Sequence, residues 1–379
     1  MTERKGLRVQ MNRIGIAAGL TLGAVALAAC SSSSSKGSDS STAPAGGSSS
    51  SAAATACFSG SLKGEGSTAQ KNAIEQWITD YQTKCTGATV NYNATGSGAG
   101  VTQFTGKQVD FAGSDSALDP TKGEVAAAQT ACGSPAYDLP MVTGPIAVAF
   151  KVKGVDKLTL TPSLIAKIFL GKITTWNDPA IAAANSGVTL PATKISVFFR
   201  SDASGTTQNF EKYLAAAAPS DYTDTPSKSW TGKVGSGKKG SDGVQQGVSG
   251  TDGGIGYMEW SFAQNGNLGV AQVDNGGGAV ELTAASAAKA VESAKVTGTG
   301  GDLTMKLDYA TKAPGAYPLI LVTYEIVCSK YADASKGTAV KDFLSYIAGD
   351  GQTGLTDLGY APLPDTIATQ VKASIAKIS

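Results

Sequence analysis

Residues 58–68, Phe58-Ser59-Gly60-Ser61-Leu62-Lys63-Gly64-Glu65-Gly66-Ser67-Thr68, decide how this chain is read. Residues 58–63 have the character of a short strand, and 64–68 form a Gly-rich turn. A helix is expected over about 69–83, because Ile74, Trp77, Ile78 and Tyr81 return to one face at helical spacing. The unit is therefore a strand that hands over to a helix through small polar residues.

The same unit recurs along the chain. A strand at 89–93 runs into Gly96-Ser97-Gly98-Ala99-Gly100, with a helix starting at Val101. A strand at 109–112 is followed by Gly113-Ser114-Asp115. Another at 195–199 leads into Arg200-Ser201-Asp202-Ala203-Ser204-Gly205-Thr206 and a helix through Leu214. Further strands are expected at 145–151, 254–259 and 319–327, the last apolar and β-branched like a buried central strand. Helices are expected at 162–169, 339–347 and 366–378. Alternating short apolar runs and helical patterns give an α/β fold.

The N-terminus has a different character. Arg4, Lys5, Arg8 and Arg13 precede an uncharged stretch over 14–29, then Cys30. That stretch is rich in Ala and Gly and too short for a comfortable membrane span, so 1–29 reads as a signal peptide. Leu27-Ala28-Ala29-Cys30 resembles a bacterial lipobox, which makes Cys30 the expected lipidation site; the alternative is ordinary cleavage leaving a free thiol. Residues 31–56 are nearly all Ser, Gly, Ala and Thr, a disordered tether with a root-mean-square span on the order of 28 Å.

About 320 residues follow, a comfortable length for two domains. Removing 1–29 takes away four positive charges and one negative, moving the net charge from +1 to −2. Such a balance, with no basic stripe, argues against nucleic acid. The chain has no histidine, which excludes Ser-His-Asp and Cys-His catalysis and the common His-based metal sites. Neither a metal nor a cofactor is expected. Cys57, Cys85, Cys132 and Cys328 lack any C-x-x-C pair and read as two disulfides. Of the three possible pairings, Cys57–Cys85 with Cys132–Cys328 is favoured.

Four segments carry the candidate chemistry: Ser67-Thr68, Ser97, Ser114-Asp115 and Ser204-Gly205-Thr206. Each is expected where a strand meets a helix. The first turn of a helix presents unpaired N–H groups and the positive end of the peptide dipole, which attract an anion. Arg200 is the one arginine beyond residue 13, and its planar fork suits paired oxygens. Asp202 is placed to hold it. Asp115 repels an anion unless that anion carries a proton the carboxylate can accept, a rule that favours phosphate over sulfate. The plainer alternative for Asp115 and Asp202 is helix capping.

These residues carry a resemblance. Gly64-Glu65-Gly66-Ser67-Thr68, the segments 96–100, 110–115, 171–179 and 200–206, Gly254-Ile255-Gly256-Tyr257 and Tyr360-Ala361-Pro362-Leu363-Pro364 occur in this order. Together, over 57–379, they resemble the phosphate-binding protein of the phosphate-specific ABC importer. The resemblance implies a type II periplasmic-binding-protein fold: two α/β lobes joined by crossing hinge strands, with the ligand cleft between them. Lobe 1 would comprise 57–143 and 317–379, and lobe 2 would comprise 144–316. It implies phosphate held by Thr68, Ser97, Asp115, Arg200, Ser204, Gly205 and Thr206, with Ser67 and Asp202 supporting and an N–H from Ala69 available. Ala69 is also a departure, because the family often has an aromatic residue there.

The implied protein is a monomeric receptor, not an enzyme, lipid-anchored on the extracytoplasmic face of the membrane. Its partner would be an ABC permease of two transmembrane subunits plus an ATPase. The alternatives from other classes are a surface protein for adhesion or signalling and a phosphatase using the same cradle.

Overall fold

The computed structural model describes residues 57–379, so Cys30 and the segments 1–29 and 30–56 lie outside the described residues. The chain begins β1 (Gly60–Gly66), α1 (Lys71–Lys84), β2 (Ala88–Ala94), α2 (Ser97–Thr105), β3 (Phe111–Ser114), α3 (Glu124–Cys132) and β4 (Ala136–Lys151). Ala73, Ile74, Trp77 and Tyr81 form the buried face of α1, as their spacing dictates. Further on come β5 (Ser196–Arg200), α4 (Gly205–Ala217), β6 (Ser236–Lys238), α5 (Gly240–Ser249), β7 (Gly254–Glu259) and β8 (Ile320–Cys328).

A nine-stranded sheet runs in the order β2-β1-β3-β8-β4-β7-β5-β6, with the short strand Gly269–Val270 beside β4. β4 joins its two halves. Residues from Ala136 to Pro145 pair antiparallel with β8, and Ile146 to Lys151 pair antiparallel with β7. Two cores follow from this change of partner. One gathers Leu62, Trp77, Phe111, Leu139, Val142, Val322 and Phe343; the other gathers Ile146, Phe150, Trp176, Phe210 and Tyr257. The fold is two-lobed, and β4 with β8 passes through both cores. Ala287, Val291, Leu303 and Met305 pack into the first core, although the sequence reading placed 144–316 as a block in the second lobe.

The strand β4 is twice the expected length. Pro140 and Pro145 remove ladder donors and made the strand read as beginning at Pro145. Pro140 instead sits where the register with β8 shifts between Thr323 and Tyr324, an irregularity that absorbs it. The disulfides are Cys57–Cys85 and Cys132–Cys328, with Cα atoms 5.3 and 5.4 Å apart. The first ties the start of the lobe to the end of α1. The second ties the end of α3 to the end of β8.

Candidate functional site

The ends of β1, β3, β5 and β7 converge with the starts of α2, α4 and α5 at one buried place between the lobes. α2 begins at Ser97, four residues earlier than its sequence suggested, with Gly96 at φ 109° as its N-cap. A Cβ on Gly96 would lie 2.5 Å from an Asp202 oxygen, so the close approach requires glycine. One expectation is corrected. No helix starts at Ser114-Asp115; β3 runs into a loop, and the next helical turn is Pro120–Lys122. Ser114 bonds locally instead, its hydroxyl donating to the Ser116 carbonyl at 2.6 Å.

Asp115 is accordingly not a helix cap. Its carboxylate accepts from the hydroxyls of Ser67, Ser97 (2.9 Å) and Thr323 (2.8 Å). Burial and the neighbouring Glu259 raise its pKa to about 6, against the opposing pull of the three hydroxyls.

Arg200 is 2% exposed. Its Nε donates to Asp202 Oδ1 at 2.8 Å and its Nη2 donates to Asp202 Oδ2. Nη1 points onward to Thr206 Oγ1 at 3.4 Å and Ser241 Oγ at 3.2 Å. Burial works against the guanidinium charge, but Asp202 outweighs it and the pKa is raised. Asp202 Oδ1 also accepts the Gly240 N–H at 2.9 Å, so it ties β5 to the start of α5.

The lobes touch across these residues. The Gly205 N–H donates to Ser97 Oγ at 3.2 Å, and the Gly98 N–H donates to the Ala203 carbonyl at 2.9 Å. Thr68 Oγ1 lies 3.0 Å from Ser241 Oγ. Ser204 acts as the N-cap of α4, accepting the Thr207 N–H at 3.2 Å. The Ala69 N–H donates to Ser67 Oγ at 3.0 Å. Ser67, Thr68, Ala69, Ser97, Asp115, Arg200, Asp202, Ser204, Gly205 and Thr206 are thus brought together, and the Ser114 side chain is not part of the group. Their hydroxyls and amides are engaged with one another.

Three participants were missed. Glu259, fully buried at the end of β7, accepts from Thr206 and from Ser241 (2.6 Å). Ser241, in the first turn of α5, links Thr68, Arg200 and Glu259. Thr323 reaches Asp115 from the middle of β8. The motif Gly240-Ser241-Asp242 after β6 has the same small-polar character as the recognised turns and was the signal for Ser241. Among the described residues no group of His, Cys, Asp and Glu could hold a metal ion.

Residues 50–350 match the family model for a PBP superfamily domain. Over 376 residues, 98% of this chain, it is 45% identical to the whole of phosphate-binding protein PstS 3 of Mycobacterium tuberculosis. The chain belongs to the PstS phosphate-binding protein family. It is also 48% identical over 322 residues to phosphate-binding protein PstS2 of Mycobacterium bovis, covering 84% of this chain and 87% of that one. The family fold extends to distant solved structures. A high-affinity periplasmic phosphate-binding protein bound with phosphate superposes with a TM-score of 0.65 at 24% identity, covering 83% of this chain and 93% of its own. The phosphate-binding protein of Stenotrophomonas maltophilia gives 0.63 at 19% identity, covering 83% and 94%.

Proposed function

We propose that this protein is an extracytoplasmic receptor that captures inorganic phosphate between its lobes and delivers it to an ABC import permease. The observation that carries the reading is the buried Arg200–Asp202 pair set amid rotatable hydroxyls that two further buried carboxylates, Asp115 and Glu259, now hold. Arg200, held by Asp202, supplies the positive charge. Thr68, Ser97, Thr206, Ser241 and the Gly205 N–H supply donors. Hydroxyl hydrogens now directed at Asp115 and Glu259 can rotate toward an anion, whereas a carboxylate can only accept.

An anion that brings its own proton gives Asp115 a donor. Protonated phosphate does so and sulfate does not, so the desolvated acceptor becomes a selectivity device. Ser67 and Thr323 hold Asp115 in place, and Ser204 caps the helix whose first N–H groups face the site. Neither a metal nor a cofactor is required by this scheme. Capture without turnover is the natural outcome, because the site offers no activated nucleophile, and the relatives are named as binding proteins.

The names of those relatives support phosphate as ligand and the importer as destination. A lipid on Cys30 with a tether over 31–56 would hold a monomeric receptor near its permease and raise its effective concentration there. Among the described residues no helix is long and apolar enough to cross a membrane. Equilibrium dialysis of the purified protein against radiolabelled phosphate tests the capture step. Retention of about one equivalent is expected; no retention above buffer would overturn the reading.

A further inference from the structure

A second polar contact joins the lobes outside the anion cradle. Lys228 Nζ donates to Glu124 Oε1 at 3.1 Å and to Oε2 at 3.4 Å. Glu124 opens α3, which the Cys132–Cys328 disulfide and the cluster of Ala128 with Val101, Phe104 and Ile326 fix to the first lobe. Lys228 follows α4 and stands two residues before Trp230, whose ring packs on Phe169, Phe210 and Tyr257 of the second lobe. The two side chains are 10% and 18% exposed, so the pair is largely out of water.

Each partner is tied to the cradle by its own segment. The Lys228 carbonyl accepts the N–H of Ser204, the N-cap of α4, at 2.7 Å. One residue earlier, the Ser227 N–H donates to buried Glu211 at 2.6 Å. On the other lobe Glu124 Oε2 accepts the Asp119 N–H at 2.8 Å, which braces the loop that Asp115 opens. Lys228 therefore travels with the start of α4, and Glu124 travels with Asp115.

The first lobe also has an electrostatic need for Lys228. Asp138 is 4% exposed on β4. Burial raises its carboxyl to about 8; Asp302 and Glu124 push the same way, while the Leu118 N–H and Lys228 pull against them. Parting the lobes takes away the cation that Glu124 and Asp138 share. A further ion pair between the lobes, Lys71–Asp242 at 2.7 Å, sets the scale. Its side chains are 30% and 52% exposed, so water screens it and its contribution is small. Lys228–Glu124 is longer but mostly desolvated, and losing either partner strands the other charge. Burial decides which pair matters.

We propose that Lys228 and Glu124 form a closure latch, a positioning pair that does not touch the anion but holds the lobes shut around it and sets its residence time. The inference rests on the capture of phosphate between the lobes. An anion in the cradle draws the starts of α2 and α4 together, and the same movement seats Lys228 against Glu124.

The experiment is a chase. The full chain is loaded with radiolabelled phosphate, mixed with excess unlabelled phosphate and sampled by rapid filtration, with association measured separately. Glu124→Gln, which keeps an acceptor for the Asp119 N–H, and Lys228→Met should each speed release about tenfold or more while association stays within about threefold. The double variant should release no faster than the quicker single one, because both break the same contact. Lys71→Met should stay within about fivefold of wild type, the range of an exposed pair. Wild-type release in Glu124→Gln, a double variant whose acceleration is the product of the two singles, an equal acceleration in Lys71→Met, or a loss carried by association would overturn the latch and leave capture standing. Failure of wild type to retain label would overturn capture and the latch with it.

Discussion

Asp202 takes the Arg200 guanidinium along one edge, accepting from Nε at 2.8 Å and from Nη2, and leaves Nη1 alone to face the centre of the site. The pair is almost fully buried, with side-chain exposures of 1% and 13%. Arg200→Lys loses the fork and should weaken phosphate binding by about a hundredfold or more, on the scale of lost charged hydrogen bonds. Asp202→Ala leaves a buried guanidinium uncompensated and should cost on the order of 3 kcal/mol of stability as well as affinity. Calorimetric titration and urea unfolding separate the two effects.

Asp115 governs selectivity through its charge state. Asp115→Asn replaces an obligate acceptor with a group that also donates, so phosphate affinity should fall while sulfate affinity rises. The wild type should show the same trend with acid. The carboxyl pKa is raised to about 6, so below that pH the group gains a proton and the repulsion of sulfate disappears. The ratio of phosphate to sulfate affinity should therefore narrow as pH falls from about 7 to 5, and stay flat with pH in Asp115→Asn.

Glu325, on β8, is fully buried beside Gln70, whose amide opposes the effect of burial on its carboxyl. Burial, reinforced by Asp115, raises its pKa to about 8. A raised carboxyl pKa means that the folded protein keeps a proton the unfolded chain has released. That contribution is whole below about 4.5 and is lost as pH rises to about 8, at roughly 1.4 kcal/mol per pH unit. Tm should therefore drop between about pH 5 and 8. Glu325→Gln should flatten that slope and stabilise the protein at the alkaline end; an unchanged slope would contradict the assignment.

Gly205 stands where the lobes meet. A Cβ there would lie 2.6 Å from both Asp115 Cβ and Ser97 Oγ. Gly205→Ala should leave each core intact, so the thermal midpoint changes little, while phosphate affinity falls about tenfold or more because the lobes can no longer approach. Small-angle scattering with phosphate added should show a larger radius of gyration than wild type.

Much of this was legible in the sequence, for a physical reason. Helix starts next to strand ends use small polar residues whose local chemistry is fixed by the turn, so Ser67, Ser97 and Ser204-Gly205-Thr206 stand out without a structure, while Asp115 stands out as a carboxylate at a strand end although no helix follows it. Arg200 stands out by rarity. Glu259 and Thr323 were not legible, because both sit in strands whose apolar neighbours read as packing. Only the sheet order brings their polar ends to Thr206 and Asp115. Ser241 was hidden by β6, three residues of Ser, Gly and Lys with no strand-like pattern. The length of β4 was hidden by its prolines, whose cost is met by a register shift visible only in the paired strands.

The central claim is that a fixed arginine and an accepting carboxylate select a protonated anion. Calorimetric titration of phosphate and of sulfate into the same purified protein near pH 8 tests it most directly. The account predicts one tight equivalent of phosphate and sulfate binding weaker by about a thousandfold or more, the scale of an unpaired, desolvated polar contact. Sulfate binding within about tenfold of phosphate would contradict it.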